Sequence, residues 1–294
     1  MSQNKGAFLL IAFKTTKPMI LVLLPLMFLS YLIGFIYSSL DAFLYLFPSS
    51  GEEYSFQILE GVILVSITVV SAFLIVLAIR KNLVRLLKYF YGFIFLISSV
   101  SIFWVHGYFF ELAFSLNSIW LEIVFAFFGV IVGLSSVIFI ILERSHILIK
   151  NLLVFILGIA MGTVFGAVFP IASFLSLVIF ISLFDIYSVF KGPINQLLKK
   201  TNMSISENNE NISTTSVAIG IGDFVFYSSI VTFVTKNLGL ILGFAAIIGI
   251  LVGIKITKNM LVKYGKFPGL PIPIFLSLFL VLIGWLVMNH VLLV

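Results

Sequence analysis

The chain reads as an all-α integral membrane protein of nine transmembrane helices, with its N-terminus cytoplasmic and its C-terminus outside. Three observations predict this. Of 294 residues, 62% are hydrophobic and 10% charged, more apolar surface than a water-soluble domain can hide. The apolar residues fall into runs long enough for a hydrocarbon core of ~30 Å, which takes about 20 residues of helix. The cations collect in every second connection, as the positive-inside rule requires.

The nine spans are read at 18–38, 59–79, 89–106, 118–142, 152–169, 171–190, 215–235, 238–256 and 268–290. The first follows Lys5, Lys14 and Lys17, a basic start like that of a signal peptide. Its apolar run is too long for one and no small-x-small cleavage site follows, so it reads as a retained span. The second ends at Arg80 and Lys81, and the third follows Arg85 and Lys88. The fourth ends just before Arg144, and the fifth begins after Lys150. A tight turn at Pro170 separates the fifth from the sixth, which stops at Lys191. The eighth ends near Lys255 and Lys258, and the ninth begins after Lys263 and Lys266.

With the N-terminus inside, only Lys236 of the 17 Lys and Arg falls outside the cytoplasmic segments. The outer segments collect Asp41, Glu52, Glu53 and Glu111. The net charge of +6 is therefore a topology signal with some attraction to anionic lipid, and not a nucleic-acid footprint. The longest cytoplasmic connection, 191–214, contains N-M-S-I-S-E-N-N-E-N-I-S-T, too polar to pack a core. It divides the chain into a six-span part, 1–190, and a three-span part, 215–294. Its two sequons, at Asn202 and Asn211, stay unmodified on the cytoplasmic side.

Several chemistries are excluded by residue type. The chain has no cysteine, which rules out disulfides, thiolate metal sites and a thiol nucleophile. His106, His146 and His290 stand far apart, and no H-E-x-x-H or G-x-S-G occurs. No metal or organic cofactor is indicated.

Two acids sit well inside spans: Asp185 in F-I-S-L-F-D-I-Y-S-V-F and Asp223 in A-I-G-I-G-D-F-V-F-Y-S-S. Glu60 and Glu122 lie near outer span ends and reach headgroups. A carboxylate in hydrocarbon is costly and usually functional. Asp185 lies six residues before Lys191, roughly 9 Å along a helix. Asp223 lies about nine residues into a span running the other way, so both come to similar depth in the cytoplasmic half. No lysine or arginine inside a span neutralises them. Two facing carboxylates at low dielectric favour a state sharing one proton. That state suits peptide hydrolysis, and a coupled pair leaves open which member carries the proton. The competing reading is two separate structural or ion-pathway acids.

Gly220–Asp223 resembles the G-x-G-D motif of the presenilin and signal-peptide-peptidase family of intramembrane aspartyl proteases. Phe184–Asp185 stands where that family has Y-D one span earlier, and Pro268–Pro271, P-G-L-P, where it has P-A-L at the last span. The orientation and size resemble the archaeal-type presenilin homologues. The resemblance implies a presenilin-like fold, catalytic Asp185 and Asp223, and substrate contacts at Gly220, Gly222, Pro268, Gly269, Leu270 and Pro271. Phe184 lacks the family tyrosine's hydroxyl, and Tyr187 is one turn away. Gly269 replaces the family alanine. The loop lacks a long hydrophobic segment, so autocleavage is not carried over.

Glycines beside Asp223 let another backbone approach. The three prolines at 268, 271 and 273 suggest an extended lead into the ninth span, at 3.3 Å per residue against 1.5 Å in helix. Such a lead reaches the depth of the aspartates and offers free backbone to a substrate strand near Leu270–Pro273. The expected activity is hydrolysis within single-span membrane proteins or signal peptides. Substrates enter sideways past the sixth and ninth spans, and the expected location is a prokaryotic plasma membrane. The rival readings are a prepilin- or preflagellin-type leader peptidase and a non-proteolytic transporter or proton relay.

Overall fold

The computed structural model describes residues 12–15, 19–39, 54–81, 83–116, 119–142, 147–191, 217–264 and 267–292. Among them nine helices follow in chain order. They are α1 (Met19–Tyr37), α2 (Tyr54–Arg80), α3 (Val84–Ala113), α4 (Trp120–Leu142), α5 (Ile147–Val168), α6 (Ile171–Phe190), α7 (Ile221–Leu238), α8 (Leu240–Tyr264) and α9 (Pro271–Leu292). Helix satisfies every backbone polar group within one segment, which hydrocarbon demands. Each expected span coincides with one helix, with ends shifted by up to eight residues. Five of these, α3, α4, α6, α8 and α9, are long and apolar enough to cross a membrane, and α1, α2 and α5 carry shorter apolar runs. The chain is an all-helical multi-pass membrane protein, apart from one small sheet.

That sheet marks the main departure from the expected spans. The seventh span was expected from residue 215, yet α7 begins only at Ile221. Val217–Gly220 instead forms strand β2, paired antiparallel with β1 (Ala12–Thr15), with Ala12 opposite Gly220 and Thr15 opposite Val217. Alternate β-branched residues, Val217 and Ile219, suit an extended chain. Gly220 at φ −69°, ψ 150° then caps the helix. The polar connection expected at 191–214 lies outside the described residues beyond Lys191, with both sequons. So do Asp41, Glu52, Glu53 and Lys266.

The core is built around α7, the least apolar of the nine helices. Its residues Phe224, Val225 and Tyr227 through Thr235 are all buried, against α5, α1 and α8. Its polar hydroxyls survive there because they are hydrogen-bonded, two of them across helices: Ser228 Oγ donates to the Gly158 carbonyl at 3.0 Å, and Thr232 Oγ1 to that of Ser30 at 3.1 Å. The approach is close enough to need a stripe of glycines on α5. A Cβ on Gly162 would stand 1.7 Å from Ser228 Oγ and 2.4 Å from the Val225 carbonyl oxygen; one on Gly166 would stand 2.3 Å from that of Ser229. Small residues serve membrane helices this way because tight backbone packing replaces the missing hydrophobic drive.

Three peripheral features complete the frame. The α3–α4 hairpin joins α5 through Phe103, Val132, Leu157 and Ala160. Helix α2 lies mainly on α6. On α3, buried His106 accepts from the Tyr37 hydroxyl at Nδ1 and donates from Nε2 to the Ala160 carbonyl at 2.9 Å. This cross-brace ties α1, α3 and α5 and has no part in the site below.

Candidate active site

Asp223 is the third residue of α7. Its carboxylate reaches back to accept from the Gly220 N–H, the reciprocal half of a capping box, in which the third helical residue serves the cap. A negative group in a first turn also suits the positive end of the helix dipole. The same carboxylate interacts electrostatically with Asp185, which α6 supplies five residues before its end at Phe190.

A single segment, Phe267–Leu270, joins the two. It is non-helical and meets both carboxylates with adjacent residues. The Leu270 N–H donates to Asp185 Oδ2 at 3.0 Å, and the Gly269 N–H also serves Asp185. A Cβ on Gly269 would lie 3.1 Å from Asp223 Oδ2 and 3.3 Å from Oδ1. With no side chain, Gly269 sets the backbone nearly against the Asp223 carboxylate, where an alanine would crowd it.

The other face of the segment is held by a residue the sequence reading did not single out. Tyr227, one helical turn beyond Asp223 and 2% exposed, donates its hydroxyl to the Gly269 carbonyl at 2.9 Å. It interacts electrostatically with both aspartates. A spacing of four on one helix was the available signal. Tyr187, by contrast, is 56% exposed, and Phe184 is half-buried and packs on the main core.

The remaining expected residues take varied positions. Pro268, Leu270 and Pro271 are buried. Gly253 of α8 admits the first turn of α9, since a Cβ there would be 2.4 Å from Pro273 Cα. Gly220 stands opposite Ala12 of β1, whereas Gly222 is exposed, with no described atom within 4 Å of a Cβ placed on it.

The strand platform expected at Leu270–Pro273 is not there. Pro271 and Pro273 lie in the first turn of α9, where prolines are well suited and carry no N–H. The Leu270 N–H is engaged by Asp185, and its carbonyl accepts from the Ile274 N–H at 3.1 Å. Extended backbone with strand pairing occurs instead at β2, which ends at Gly220 directly before α7. Among the described residues no group of three or more His, Cys, Asp or Glu comes together.

Comparison with known proteins bears on the fold. Residues 199–292 match the Presenilin family model. Two solved structures of a presenilin family intramembrane aspartate protease, in P2 and C222 space groups, are similar in fold. Their TM-scores are 0.60 and 0.59 at 17% identity, over 92% and 91% of this chain and 98% and 99% of theirs. No curated protein sequence matches.

Proposed function

We propose that this chain is a member of the presenilin family and an intramembrane aspartyl protease that hydrolyses a peptide bond within a membrane-spanning substrate. The observation that carries the reading is the 269–270 segment: two adjacent residues contact carboxylates from two different helices. Asp185 and Asp223 thereby face one small volume. A water between them loses a proton to the ionised carboxylate as its oxygen bonds to the substrate carbonyl carbon. The protonated partner polarises that carbonyl and then protonates the leaving nitrogen as the C–N bond breaks. Pro268, Gly269, Leu270 and Pro271 form one wall of the site, and the open side of Gly222 leaves room for the substrate backbone. The substrates are single-span proteins or signal peptides, and no cofactor is required by this chemistry.

The test uses purified protein in lipid vesicles with two reporters, one cleavable within a span and one at a leader junction. Cleavage within the span, lost in both Asp185→Asn and Asp223→Asn, supports the proposal. Cleavage that survives both substitutions, or acts on the leader alone, sinks it. Labelling by a transition-state-analogue aspartyl-protease inhibitor should disappear with either substitution.

A further inference from the structure

Hydrolysing a peptide bond in a membrane helix requires the helix to unwind, and the freed backbone needs new hydrogen-bond partners. A strand edge beside the carboxylates would supply them, as peptides bind other sheets by adding a strand. Among the described residues that edge is β2, which runs straight into α7, with Gly220 three residues before Asp223. One of the two edges of β2 is already occupied. Ala12–Thr15 pairs with it along its whole length and packs on α5.

Direction sharpens the point. The pairing is antiparallel with Ala12 opposite Gly220 and Thr15 opposite Val217, so β1 begins at the level of the helix start and leads away from the carboxylates. A substrate whose cleaved span continues along β2 away from the site would run in the same direction. The five residues preceding β1, A-F-L-L-I, have the composition of a membrane substrate. We propose that Ala12–Thr15 is a built-in competitor, holding the β2 edge that an extended substrate needs, so that cleavage requires β1 to leave. This inference rests on the proteolytic reading above.

Because the chain has no cysteine, the strand can be locked in place cleanly. Thr15 and Val217 are directly opposed, and opposed antiparallel residues have Cα atoms about 4.5–5.5 Å apart, within the disulfide range of about 4.4–6.8 Å. The double variant Thr15→Cys/Val217→Cys is compared oxidised and reduced on one vesicle preparation, with the bond verified by mass and each single variant as control. We expect oxidation to lower cleavage at least tenfold, reductant to restore it, and both single variants to ignore redox state. Removing residues 2–15 should lower KM several-fold with kcat little changed. A verified disulfide that leaves cleavage undiminished overturns the competitor role while the proteolytic reading stands. Absence of cleavage in wild-type and reduced protein alike overturns both.

Discussion

Asp223 has two reasons to sit where it does, and substitution separates them. Its carboxylate caps α7 at Gly220 and also faces Asp185. An asparagine keeps an acceptor for the Gly220 N–H but cannot share a proton. Asp223→Asn should therefore fold and melt like the parent while cleavage falls by about 10²–10⁴, the usual worth of acid–base catalysis. Thermal denaturation beside a cleavage assay checks both halves. Tyr227→Phe should behave differently. Losing the bond to Gly269 frees the segment that holds Asp185 and leaves a carbonyl unpaired, at about 1–3 kcal/mol. We expect kcat to drop about tenfold with KM unchanged; an equal loss in both would indicate general damage. At this scale the two aspartates and P-G-L-P were legible because acids and prolines are rare inside apolar runs. Tyr227 was not, since a tyrosine in a membrane helix is ordinary until its partner is known.

Among the helices, the α5–α7 contact decides the packing, and L-G-I-A-M-G-T-V-F-G states it in sequence as glycines at 158, 162 and 166. Gly162→Leu must push α7 away from α5 and should destabilise the fold by about 3 kcal/mol, the upper end of overpacking costs. Gly222→Ala, in the open, should change stability by less than about 0.5 kcal/mol. Equal melting losses for the two in the same detergent would contradict the close α5–α7 approach. Helix positions followed from hydropathy because hydrocarbon length and backbone satisfaction leave little choice. The sheet did not follow. Each strand has four residues, too short for periodicity to register, and the pairing joins chain segments some two hundred residues apart. The prolines at 271 and 273 admitted both extended chain and a first helical turn, and the turn prevailed once α8 packed on it.

For the molecule as a whole, charge makes the strongest statement. The basic connections predict that a glycosylation acceptor engineered within residues 40–53 is modified on insertion into eukaryotic microsomes, while the native Asn202 and Asn211 remain bare. Gel shifts before and after deglycosylation read both, and the reverse pattern would invert the proposed topology. The fold carries a second consequence, for biogenesis. Helix α7 holds Asp223, several hydroxyls and Lys236, and an aspartate alone disfavours translocon partitioning by up to about 3 kcal/mol. Fused singly to an insertion reporter, it should largely fail to integrate; followed by α8 across the one-residue Gly239 turn (φ 95°), it should integrate. The ribosome delivers α5 and α6 first, so the glycine stripe is made before the helix it receives. The proposed Asp185–Asp223 site is then completed late in synthesis, once a segment that lipid would reject is accepted by protein.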